Sequence, residues 1–207
     1  MDYDLGEKGV DTKKLALESL NNTELFKELI IGIRSKDKTV RTNSFNALMV
    51  VADNNGDILY PKWDYLHEML VSNNSNEQYV AIYLLANLTA SDTENKFETI
   101  FDDYFSLLGG EKTLPASHVI LSSGKIIENK PELRSKIISN LLSTDETFKG
   151  RQKDLLKVYV IETLRKIPSD PGDKDRIEEF IKSQLNSSSS RTRSAAKCYV
   201  ERCFLDL

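Results

Sequence analysis

Five stretches of this chain can be laid on one another: VRTNSFNALMVV (40–51), EQYVAIYLLANL (77–88), ASHVILSSGKII (116–127), LKVYVIETLRKI (156–167) and TRSAAKCYVERC (192–203). Each carries apolar residues at helical spacing. Their last positions, Val51, Leu88, Ile127, Ile167 and Cys203, are 37, 39, 40 and 36 residues apart. A recurrence of about 40 residues marks stacked two-helix units. One such pair cannot bury its apolar face alone, so neighbouring pairs must complete the core.

The residues between these stretches supply the partner helices. Apolar residues recur with a period near 3.6, and alternation at period two is nowhere sustained over the length of a strand, so an all-α chain is expected. First helices are predicted at 23–35, 61–72, 94–108, 131–142 and 173–185, second helices at 39–52, 77–90, 114–128, 152–167 and 191–204, with a short extra helix over 12–20. Breakers fall between them: NNGD at 54–57, Gly109 and Gly110, IPSDPGD at 167–173 and the serine run at 187–190. Pro61, Pro115 and Pro131 each sit where the first turn of a helix tolerates a missing N–H, and Pro171 reads as linker. Thr23, Ser91 or Asp92, and Asp173 read as N-caps.

The stretch TVRTNSFNALMVVA resembles the HEAT-repeat family, whose second helices often open with a Val-Arg pair followed by small and apolar residues. RTRSAAKCYVERC matches the pattern less closely, and the third and fourth stretches keep only its periodicity. The resemblance implies an armadillo-like α-solenoid, a right-handed superhelix of about five HEAT-like repeats. These would lie roughly at 23–53, 60–91, 92–128, 131–167 and 173–204, in a single domain over 1–207 with residues 1–22 as an N-terminal cap. It carries no motif for a specific activity.

In the first repeat the core stripe is Val40, Ser44, Ala47, Leu48 and Val51, at relative positions 0, 4, 7, 8 and 11, one side of a 3.6-residue helix. Positions 2, 5, 6 and 9 point away, and solenoids generally present this side of their second helices along a concave face. The outward ridge then includes Phe45, Met49, Tyr79, Ile82, Tyr83 and Ala86, followed by His118, Leu121, Ser122 and Lys125. It continues with Val158, Ile161, Glu162 and Arg165, and ends with Ser194, Lys197, Cys198 and Glu201. Its N-terminal half is aromatic and apolar, which suits a peptide groove because apolar anchors dominate binding energy. Phe45, Ile82 and Leu121 also lie where they would widen the core. The expected function is a non-catalytic protein- or peptide-binding scaffold, with Phe45, Met49, Tyr79, Tyr83, His118, Lys125, Arg165 and Lys197 as binding residues.

The alternative is nucleic-acid binding through the basic second helices of repeats four and five. The chain as a whole does not favour it, since 207 residues carry a formal net charge of −4 and no global field draws it to a polyanion or an anionic membrane. On the ridge itself Lys125, Arg165 and Lys197 stand against Glu162 and Glu201. The remaining basic excess belongs to helix starts, at Arg151, Lys153, Arg191 and Arg193, where the helix dipole gives it no favourable interaction and solvent or a partner must satisfy it.

Nothing in the sequence points to catalysis, and no cofactor is expected. His67 and His118 are isolated, whereas a metal site needs three or four converging ligands. Cys198 and Cys203 are five apart, about 140° around a helix, and cannot face one metal together. Cys203 falls on the core stripe and Cys198 on the outward ridge. Asp102 and Asp103 diverge by about 100°, and Gly109–Gly110 lacks the Lys-Ser/Thr of a phosphate loop. The opening MDYDLGEKGVDTKK is acidic, without the basic start and apolar run of a secretory signal, and no run approaches a membrane span of about 18 apolar residues. A cytoplasmic chain without membrane contact is expected, its two cysteines reduced.

Overall fold

The computed structural model describes the backbone of residues 4–205 and the side chains of residues 4–201. It is all-helical, with no strand among the described residues. The chain divides into two compact units, Met1–Ile100 and Phe101–Leu207.

The first unit runs α1 (Thr12–Ser19), α2 (Thr23–Gly32), α3 (Lys38–Asn54), α4 (Gly56–Leu59), a 3₁₀ turn at Tyr60–Lys62, α5 (Trp63–Leu70), α6 (Ser75–Leu88), a 3₁₀ turn at Thr89–Ser91 and the start of α7 (Lys96–Ser106). α3 packs against α1, α2 and α6, and α5 against α6. The stripe expected of α3 is largely buried: Ser44, Ala47, Leu48 and Val51 are inside, while Val40 is half-exposed. α2 and α3 approach closely enough that a Cβ on Gly32 would overlap the Ser44 hydroxyl, so the helix keeps a residue that costs about 1 kcal/mol relative to alanine. At the end of this unit Asp92 anchors α7. Its Oδ1 accepts from the Lys96 N–H at 2.8 Å and its Oδ2 from the Phe97 N–H at 2.9 Å, and the buried Tyr60 hydroxyl donates to Oδ1 at 2.7 Å. Burial and this carboxylate push the Tyr60 phenol well above its ordinary value of 10.0.

The second unit continues from α7 through a 3₁₀ turn at Leu107–Gly109, α8 (Thr113–Asn129), a 3₁₀ turn at Pro131–Leu133, α9 (Arg134–Leu142), α10 (Thr144–Thr147), α11 (Lys153–Leu164), α12 (Pro171–Gln184) and α13 (Ser190–Leu205). α8 packs on α11 and α11 on α13, while α9 packs on α8 and α12, and α12 on α13. Apolar burial supplies most of the adhesion, at about 1.5–3 kcal/mol for each fully buried leucine- or isoleucine-sized side chain. Ile120, Ile126, Ile137, Leu141, Leu156 and Val160 are of this kind.

Helix starts depart from the sequence expectation where the capping side chain lies further out. Asn22, not Thr23, caps α2, accepting from the Leu25 N–H at 3.1 Å. Asp170 caps α12, which places Pro171 at the first helical position rather than in a linker. Asp173 is therefore inside the helix and buried, with its Oδ2 2.8 Å from the Arg134 Nε. Pro61 and Pro131 open 3₁₀ turns, and the α-helices follow at Trp63 and Arg134.

One turn is built three times. Before α3, the Asp37 N–H donates to Ser35 Oγ at 3.1 Å, and Asp37 Oδ1 accepts from the Thr39 and Val40 N–H groups at 2.7 and 3.1 Å. Before α6, the Asn74 N–H donates to Ser72 Oγ at 3.2 Å and Asn74 Oδ1 accepts from the Asn76 N–H at 2.9 Å. Before α13, the Ser189 N–H donates to Ser187 Oγ at 3.2 Å and Ser189 Oγ accepts from the Thr192 N–H at 3.3 Å. Short hydroxyl and carboxamide side chains suit both tasks, which explains the serine run. In the first and last of these turns an arginine six residues on closes the bend: Arg41 Nη1 donates to the Ser35 carbonyl at 2.7 Å, and Arg193 Nη1 to the Ser187 and Ser188 carbonyls at 2.6 and 2.9 Å. The basic charge of Arg193 is thus satisfied by the chain's own turn.

Candidate functional site

In the first unit the outward residues of α3 and α6 form an aromatic cluster. The Phe45 ring lies 5.1 Å from Tyr79 and 6.3 Å from Tyr83, and the two tyrosines are 5.2 Å apart, edge to face. Successive turns of α6 put Tyr79 and Tyr83 one above the other, and the α3–α6 packing brings Phe45 against both. Phe45 is only 8 % exposed because those rings cover it. Tyr79 and Tyr83 keep partial exposure, and burial pushes the Tyr79 phenol above its ordinary 10.0. Met49, half-exposed, receives the Asn87 side-chain N–H on its sulfur at 3.6 Å. The cluster therefore offers a strip of ring faces and thioether with Thr42 and Asn46 exposed on the same helix.

Several residues placed outward by the helical wheel are core. Ile82, Ala86, Ser122, Val158 and Ile161 are all buried. Neighbouring helices flank each of these second helices, and a side chain at the edge of the stripe meets the flank rather than water. Ser122 is buried as a polar group because Tyr104 and Ser122 share a hydrogen bond at 2.7 Å. Leu121 is 37 % exposed and forms one wall of a cleft of about 730 Å³ with Gly124, Ile127 and Ile167.

In the second unit the remaining predicted residues do not gather into one patch. His118 is half-buried on α8, and loss of hydration holds its imidazole below the ordinary 6.5. Lys125 lines the large cleft and pairs with Glu128 at 3.3 Å. Lys197 is exposed. Arg165, just past the end of α11, faces α13, where its Nη1 donates to the sulfur of Cys198 at 3.3 Å. Cys198 is exposed as expected, whereas the Cys203 side chain lies outside the described residues. Between α11 and α13 a smaller cleft of about 250 Å³ joins Glu162, Arg165, Arg191 and Cys198.

Much of the basic charge at the helix starts is consumed locally. Lys153 donates to the Asp145 carbonyl at 2.7 Å, and Lys157, at the helix position that Arg41 and Arg193 hold in α3 and α13, pairs with Asp145 and Asp154 at 3.0 and 3.4 Å. Among the described residues no group of three or more His, Cys, Asp or Glu is arranged to hold a metal ion, and no helix is long and apolar enough to cross a membrane.

No family model matches the chain, and no curated protein does. Among solved structures it is similar to the crystal structure of an engineered protein from the Northeast Structural Genomics Consortium, at 16 % sequence identity and a TM-score of 0.49, with 97 % of this chain and 96 % of that chain covered.

Proposed function

We propose that the chain is a non-catalytic α-solenoid of about five HEAT-like repeats that binds a segment of another protein along its second helices. The observation that carries this reading is the Phe45–Tyr79–Tyr83 cluster with Met49 beside it. Rigid aromatic rings already packed on one another lose little conformational freedom when a ligand covers them, and a buried ring anchors an interface better than scattered polar contacts. The occupant this strip suits is a peptide with apolar anchor side chains spaced along one face. Repetition of the Ser-x-Asp/Asn/Ser turn before α3, α6 and α13 supports a repeat origin for the helix pairs. The nucleic-acid reading is weaker because Arg41, Lys153, Lys157 and Arg193 already hold carbonyls or carboxylates of the chain.

The test is peptide selection from a random display library on the wild-type chain, followed by titration of the selected peptides against a Tyr79→Ala/Tyr83→Ala variant. Loss of the two rings is expected to weaken binding by about tenfold or more. Undiminished binding to a variant whose circular dichroism matches the wild type overturns the proposal. Parallel titration with duplex and single-stranded DNA and RNA at rising salt checks the other reading, since phosphate contacts must weaken steeply with salt.

A further inference from the structure

The small cleft between α11 and α13 combines groups that the peptide reading does not use. Its floor is Val158 and Ile161, both buried, and its walls carry Glu162, Arg165, Arg191 and Cys198. Among the described residues, none of the three charged side chains has an ion-pair partner within 4.0 Å, so their charges are open to a ligand. Arg165 is the most constrained of them. Its Nη1 donates to Cys198 Sγ at 3.3 Å, and its Nε is buried without an acceptor. A buried guanidinium N–H without a partner is a cost that a bound anion would remove.

We infer that this cleft is a modification site in which Cys198 forms a mixed disulfide with a small thiol bearing two carboxylates and one ammonium group, the charge pattern of glutathione. The two guanidinium groups, Arg165 and Arg191, match the two carboxylates, and Glu162 matches the ammonium. The thiol of Cys198 lies against the first of these guanidinium groups. The cleft, at about 250 Å³, falls just below the range of about 300–1,000 Å³ for pockets that enclose drug-sized ligands, which suits a tripeptide lying partly in solvent. The oxidant is glutathione disulfide. The Cys198 thiolate, its proton released to solvent, attacks one sulfur of that disulfide. The bond between the two glutathione sulfurs breaks as the bond to Cys198 forms, and the second glutathione leaves as a thiolate that takes up a proton. Cys198 is oxidised, and the departing glutathione is reduced.

The two cysteines of the chain can be read separately, because trypsin cuts after Lys197 and after Arg202 and leaves one cysteine in each peptide. The folded chain is exposed to glutathione disulfide or to uncharged 2-hydroxyethyl disulfide, the remaining thiols are blocked, and the tryptic peptides are quantified by mass spectrometry. The expected result is faster modification of Cys198 than of Cys203 by glutathione disulfide. Arg191→Gln and Glu162→Gln are each expected to lower the ratio of the glutathione rate to the hydroxyethyl rate by about fivefold, the upper end for one exposed ion pair. A ratio that stays within about twofold of the wild-type value in both folded variants, or equal reaction of Cys203, overturns the inference. Should either variant fail to fold, S-methylglutathione on the wild-type chain is the second measurement. It is expected to slow alkylation of Cys198 by iodoacetamide, and no slowing at saturating concentration overturns the inference.

Discussion

Arg193 reaches back six residues to the carbonyl of Ser187 at 2.6 Å, bending the chain into α13 in the way that Arg41 bends it into α3 through Ser35. Removing either guanidinium leaves carbonyl oxygens that water can reach but that no longer tie the turn. Arg41→Ala and Arg193→Ala are each expected to cost about 1–2 kcal/mol, the value of a partly exposed hydrogen bond to a charged donor. Equilibrium urea denaturation measures this. Arg191→Ala, two residues earlier in α13 and without such a bond, should leave stability nearly unchanged.

The Arg134–Asp173 pair predicts a larger effect. Arg134 Nε lies 2.8 Å from Asp173 Oδ2, its Nη2 donates to the Pro168 carbonyl at 2.9 Å, and Asp173 is 2 % exposed. Arg134→Ala abandons a buried carboxylate to the more distant Arg176, and a destabilisation of about 3–5 kcal/mol is expected. The double variant Arg134→Leu/Asp173→Leu should recover much of the loss, because apolar replacement removes the unpaired charge. A double-variant cycle by chemical denaturation checks both.

The Tyr60–Asp92 contact sets an alkaline limit. The folded phenol titrates above its unfolded value of 10.0, so the protonated form is the one that folding favours. Its contribution is complete below about pH 10 and is lost as pH rises toward the folded value. Wild-type stability should therefore fall more steeply above about pH 10 than that of Tyr60→Phe, which is weaker at neutral pH because it lacks the bond to Asp92. Denaturation midpoints of the two proteins across the alkaline range give the comparison, and parallel curves would contradict it.

Gly32 and Ser44 should show strong coupling. Gly32→Ala drives a methyl group into the Ser44 hydroxyl and is expected to cost about 1–3 kcal/mol despite its better helix propensity. Ser44→Gly in the same chain opens the space, so the double variant should be more stable than the sum of the single changes. Thermal unfolding of the four proteins tests this.

The longer helices were legible in the sequence because apolar periodicity is a local property that tertiary packing then uses without altering, whereas the four-residue α4, which begins inside the NNGD stretch read as a breaker, and α10 are too short to show a period. What escaped it were facts that depend on a second segment. Asp173 reads as a cap because it precedes an apolar run, yet its partner Arg134 lies 39 residues earlier. Val158 and Ile161 fall on the outward ridge of the α11 wheel, and it is the neighbouring helices that bury them. The serine run was different: the Ser-x-Asp, Ser-x-Asn and Ser-x-Ser pattern stands in the sequence before three second helices, and comparing the turns rather than the helices would have exposed it. The cleft of Glu162, Arg165, Arg191 and Cys198 was half visible, since three of the four lie on the outward ridge. Arg191, at the start of α13, joins them only through the packing of α13 on α11.

Asp92 gathers two backbone amides of one helix and a hydroxyl from thirty-two residues earlier onto a single carboxylate. Opening of either segment exposes the other, so the amide protons of Lys96 and Phe97 serve as clocks for the Tyr60 contact. Their exchange with deuterium should quicken together when Tyr60 is replaced by Phe, while amides in the middle of α3 keep their rates.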